Sequence, residues 1–126
     1  MPYVFYNPHP TGSLTGDCVI RALSKVLNQD WDTTYLQLSV QGYLLHNWGN
    51  EASVWGSLLR KRNFKRYAVT NTCPDCYTIR EFVRDNPTGT YVIACGGHVV
   101  ASVNGNYFDI TDSGNEIPIY FWKKEG

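Results

Sequence analysis

The chain lacks net charge. Eleven Lys and Arg stand against eleven Asp and Glu in 126 residues. That balance removes the excess of positive charge expected of a general nucleic-acid binder. Apolar runs of about 18 residues, the length that spans a bilayer, are absent. The opening segment MPYVFYNPHPTG has no basic stretch leading into an apolar one, so no secretory signal is read there. The expectations are a cytoplasmic location, no membrane association, and cysteines kept as thiols rather than disulfides. Internal repeats and low-complexity stretches are also missing. Charged residues make up only 17%, below the usual quarter or so.

What is present is enough for one domain and its core. Apolar residues make up 43%, and nine Tyr and four Trp add bulk. At this length one domain is expected over 1–126, with a core that needs neither disulfide nor metal. Residues 1–16 are rich in Pro, Gly, Asn and Thr and read as a loop. Residues 17–62 read as helical. Ile20, Leu23, Val26 and Leu27 recur at helical spacing behind a cap at Thr15 or Asp17, and Asn28-Gln29-Asp30 ends that helix. Asp30 caps a second helix with Trp31, Tyr35, Leu38 and Leu45 turned inward, which Gly42 interrupts or ends. Asn50-Glu51 opens a third, with Ala52, Trp55, Leu58 and Leu59 on one face. Residues 64–123 read mostly as strands (66–69, 90–95, 98–103, 107–110 and 117–122) with one short helix at 77–84. Helices first and strands after predict an α+β domain, an N-terminal helical layer packed on a C-terminal antiparallel sheet.

Cys18 falls just inside the start of the first helix. There the helix dipole and free backbone N–H groups favour a thiolate. The plain alternative is a small buried residue. His98 opens a strand after Cys95-Gly96-Gly97. A two-residue turn at Asn104-Gly105 or at Gly105-Asn106 puts His98 and Asp109 on one face of the hairpin. A longer turn or a bulge selects Asp112 instead. Taken alone, a histidine and an acid in this arrangement are more often a surface pair than a catalytic one.

Taken together, the cysteine at a helix start, the strand histidine and the acid on the next strand resemble the papain-like cysteine peptidases. The phrases GDCVIRA (16–22), GTYVI (89–93), GHVVA (97–101) and YFDITDS (107–113) resemble those of small papain-like proteins of bacterial and phage type. The resemblance runs from about Asn7 to Trp122. It implies a cleft between helical and sheet layers, with Cys18 as nucleophile, His98 as general base and Asp109 as orienting acid. It also implies hydrolysis of a peptide, amide or isopeptide bond in a peptide or protein substrate, with no cofactor. One position departs from the pattern. Where the family has an oxyanion-donating glutamine about six residues before the cysteine, this chain has Gly12, which leaves Asn7, Ser13 and Thr15 as candidate donors. The departure keeps a second reading open: a catalytically weak or inactive papain-like module, of phage type, that sequesters a partner protein or a small molecule.

Cys73-Pro74-Asp75-Cys76 is a lone CxxC. It reads as a turn with two thiols, a redox pair, or half of a metal site whose other half the sequence does not supply. No metal is assigned. A third reading of the chain, a dithiol oxidoreductase, rests on Cys73 and Cys76. Trp31, Tyr35, Trp48 and Trp55 are expected in the core, with a stacking platform as the alternative. Arg60, Lys61, Arg62, Lys65 and Arg66 form the one basic run, either a solvated helix end or a site for an acidic or phosphorylated partner. His9 and His46 read as a surface residue and a helix-end cap.

Overall fold

The structure is a computed structural model that describes residues 2–70 and 77–126. In α1 (Cys18–Leu27) the buried Val19, Ala22, Leu23 and Val26 recur every three or four residues, one stripe of the helix. Asn28, at φ 55°, turns left-handed and stops it. Asp30 then caps α2 (Trp31–Leu45), its carboxylate accepting from the Thr33 N–H at 2.8 Å. The third helix, α3 (Ala52–Lys61), buries Val54, Trp55, Leu58 and Leu59. A capping box between Thr78 and Glu81 starts the short α4 (Ile79–Asp85).

Six strands form one sheet: β1 (Tyr3–Phe5), β2 (Phe64–Ala68), β3 (Thr90–Cys95), β4 (His98–Val103), β5 (Asn106–Asp109) and β6 (Pro118–Lys124), in the order β1-β5-β4-β3-β6-β2. The class is α+β, with helices mainly N-terminal and packed on the sheet. One face carries α1 and α3, meeting at Leu23, Trp55, Leu59, Val92, Ala101 and Trp122. The other face packs Ile93, Val100 and Tyr107 against Ile79 and Phe82 of α4. Covered on both faces, β3 is a continuous apolar run rather than an alternating one.

Five expectations need correction. The sheet is mixed rather than antiparallel, because β1 pairs parallel with β5, Phe5 beside Asp109. Residues 1–16 are therefore not all loop. Three residues between prolines, mostly exposed, carry no periodic signal. Their strand form comes from pairing with β5, a long-range contact. Nor does α2 turn Tyr35 and Leu45 inward: both are exposed, and Leu38 is the large apolar side chain it buries. Trp48 stands 79% exposed, so only Trp55 of the expected aromatic core is fully buried. Finally, α2 runs through Gly42 to Leu45 and ends at His46, whose left-handed backbone caps it.

Among the described residues, no helix is long and apolar enough to cross a membrane.

Candidate active site

The β4–β5 turn decides the geometry. Asn104 and Gly105 have φ of 49° and 84°, and Val103 pairs with Asn106. Positive φ at both central residues is the two-residue turn whose twist matches the flanking strands. Counting back from it places His98 and Asp109 on the same face. The His98 Nε2–H donates to Asp109 Oδ2 at 2.6 Å. Engaging Nε2 leaves Nδ1 as the ring nitrogen free for a second partner. Cys18, half-buried, is the first residue of α1, and α1 packs on β4. The structure thus brings Cys18, His98 and Asp109 together.

Asp109 is wholly buried and saturated with donors. Its Oδ2 also accepts from the Ser113 hydroxyl at 2.8 Å, and its Oδ1 accepts from the Ile110 N–H at 2.7 Å. The Arg21 guanidinium lies 3.1 Å from Oδ1. Burial opposes ionisation of this carboxyl, yet the bonds from His98 and Ser113 outweigh it and hold its pKa below 3.8. His98 responds in the opposite sense. The Asp109 bond first and Cys18 second raise its pKa to about 10 against the effect of burial. At Cys18, burial opposes ionisation, but the polar interactions with the His98 ring and the Val99 N–H, with the charges of His98 and Arg21, lower the thiol below 9.0. The three shifts favour one charge state, a thiolate beside an imidazolium beside a carboxylate.

Sequence reasoning missed the support behind this trio. Arg21 is 3% exposed and bridges two acids: Nη1 donates to Asp17 Oδ1 at 2.7 Å while Nη2 faces Asp109. The Trp31 indole N–H donates to the other Asp17 oxygen at 2.8 Å. Asp17 therefore occupies the N-cap position of α1 without capping it with its side chain. The N-terminal N–H groups of α1 beside Cys18 are left for another acceptor. The Asp17–Arg21 spacing of four was the available signal, since it puts both on one helix face.

The alternatives fare differently. Asp112 is not the histidine's partner. Its carboxylate accepts from the Tyr107 hydroxyl and from the Gly114 N–H and pairs with Arg80 at 3.4 Å, which organises the turn after β5. Asn7 is not free as an oxyanion donor either, because its amide donates to the Gly12 and Ser13 carbonyls. Ser13 and Thr15 are exposed in the same loop. Cys95 is the contrary case to Cys18: burial, then Glu116 and Asp109, push its thiol up to about 12. Cys73 and Cys76 lie outside the described residues. Among the described residues no cluster of His, Cys, Asp and Glu could hold a metal ion. A groove of about 520 Å³ runs beside the start of α1, lined by Val19, Ile20, Tyr35, Tyr43 and Trp48 among others. The exposed aromatics of α2 thus edge a groove rather than fill the core.

No family model, curated protein or solved structure matches this chain.

Proposed function

We propose that the protein is a cysteine hydrolase of papain-like architecture that opens a peptide, amide or isopeptide bond through an acyl-enzyme. The observation that carries the reading is the buried Asp109, with three hydrogen-bond donors and the Arg21 charge beside it, holding His98 by Nε2 next to a cysteine at a helix start. A low-pKa thiol with a charged imidazole partner is what nucleophilic attack on a carbonyl requires. In the first step the Cys18 sulfur bonds to the carbonyl carbon. The carbonyl oxygen takes up negative charge against the backbone N–H groups at the start of α1. The C–N bond then breaks as the His98 imidazolium gives its proton to the leaving amine. In the second step water gives a proton to His98, its oxygen bonds to the acyl carbon, and the thiolate departs. Asp109 keeps the ring oriented and its charge balanced throughout. No cofactor enters either step.

A second reading, a module that binds without turnover, is favoured by one observation. Asn7, the nearest amide upstream of Cys18, is committed to its own loop. Loss of one oxyanion donor costs roughly 3 kcal/mol of transition-state stabilisation, enough to leave binding with little chemistry.

The test is pH-dependent alkylation of Cys18 by iodoacetamide, read by mass spectrometry. The expected result is a thiol pKa below 9.0 that rises in His98→Ala. An unshifted thiol, indifferent to His98, overturns the hydrolase. Nitrophenyl acetate then separates the two readings. Acetyl-Cys18 that forms and turns over supports the enzyme, and a reactive thiol that is never acylated supports the binding module.

A further inference from the structure

We propose that the outer edge of β2 docks an extended, acidic polypeptide segment of a partner protein, which joins the sheet as an added strand. Among the described residues β2 lies last in the sheet and pairs only with β6. The ladder between them is bracketed by two bonds, Glu125 N–H to Asn63 C=O at 2.8 Å and Val69 N–H to Ile119 C=O at 2.9 Å. Antiparallel ladders alternate. Lys65 and Tyr67 therefore turn their main-chain groups toward β6, and Phe64, Arg66 and Ala68 turn theirs outward. Among the described residues those outward groups have no main-chain partner.

The side chains along this edge supply the chemistry of the partner. Seven of the eleven cations of this neutral chain fall in 60–66 and 123–124. Lys65 and Lys123 sit directly opposite each other on one face. On the other face Arg66 lies over the Tyr120 ring at 4.1 Å and Arg60 over Trp122 at 5.2 Å. The ion pairs among the described residues involve Arg21, Arg80, Arg84 and His98, none of them here. Like charges directly opposite on a sheet destabilise it, so an anionic partner relieves a cost already present. Side chains of an added strand alternate between the two faces, and cations wait on both. The fitting segment is therefore a run of consecutive acidic residues, held by main-chain bonds and paired on both sides.

The same features exclude other occupants. Two copies of this edge repel each other, which is how charged edge strands avoid self-pairing. Single-stranded nucleic acid needs free aromatic faces on which bases stack. Here Tyr120 is covered by Trp55 and Arg66, Trp122 is buried beneath Arg60, and Tyr67 stacks on Phe121.

The experiment is fluorescence anisotropy of a labelled decaglutamate peptide, which self-repulsion keeps extended, titrated with the full chain. Saturable binding at low salt that weakens at high salt is expected. Lys65→Glu/Lys123→Glu should weaken it by roughly tenfold or more, with Lys65→Gln/Lys123→Gln intermediate. Ala68→Pro removes an outward N–H and leaves the β6 ladder intact, so it too should weaken binding. Each variant is first checked for a cooperative thermal melt. No binding to decaglutamate overturns the proposal. So does binding indifferent to charge reversal or to Ala68→Pro, or equal affinity for oligothymidylate of the same charge.

Discussion

Arg21 is the residue on which the site leans hardest. It joins the start of α1 to β5 by standing between Asp17 and Asp109, and all three side chains are at most 5% exposed. A buried ion pair contributes little beyond its desolvation cost, but removing one partner strands the others. Arg21→Met would leave two buried carboxylates facing each other across an apolar gap. The expected loss is about 3–5 kcal/mol in urea unfolding, with less loss in Arg21→Lys. A purely structural role predicts nothing more. A positioning role also predicts that folded Arg21→Lys alkylates at Cys18 with a changed pH profile, because the Asp109 charge that holds His98 is less well fixed. An unchanged profile would reduce Arg21 to scaffolding.

At the scale of elements, the contrast between β4–β5 and α2 is instructive. The hairpin was legible because Asn-Gly fixes its own turn, and turn length fixes which acid meets His98. The α2 helix was not legible, because its apolar residues lie all round it and periodicity could not say which face packs. Leu38 and Gly42 lie four apart on the buried side, and Tyr35 and Tyr43 are exposed. β1 was equally hidden, because only the parallel contact with β5 makes three residues a strand. Gly42 looked like an interruption and is instead a close approach. A Cβ there would sit 2.6 Å from the Asn47 carbonyl oxygen and 3.1 Å from the Gly49 nitrogen, both main-chain atoms. Gly→Ala inside a helix ordinarily gains up to about 1 kcal/mol. Here the overpacking, roughly 1–3 kcal/mol, should win, since backbone gives way less readily than a side chain. Gly42→Ala is expected to unfold at lower urea concentration than the parent. A rise in the midpoint would mean that the 47–49 loop does not pack against α2.

For the molecule as a whole, the trio spans two layers, with Cys18 on the helical side and His98 and Asp109 on the sheet. Its ionisation is therefore coupled to folding. Asp109, held below 3.8, contributes stability above that pH, lost as pH falls through its folded value. Cys18 and His98 carry opposite signs and partly cancel, so the two must be separated to be read. In a Cys18→Ser background His98 titrates without the thiol. Its bond to Asp109, the largest cause of the upward shift, still keeps its folded pKa above the ordinary 6.5. A group whose pKa is raised by folding contributes fully below its unfolded value and loses that contribution as pH climbs through the folded one. Stability of Cys18→Ser should therefore decline from about pH 6.5 upward, ending at or below the value of about 10 that holds with the thiol present. Urea midpoints measured between about pH 6.5 and 8, below the range in which the raised Cys95 thiol adds its own slope, beside Cys18→Ser/His98→Gln, isolate the effect: over that window the slope should vanish in the double variant. A slope that persists without His98 would place the proton uptake elsewhere and detach the imidazole from the Asp109 carboxylate in solution.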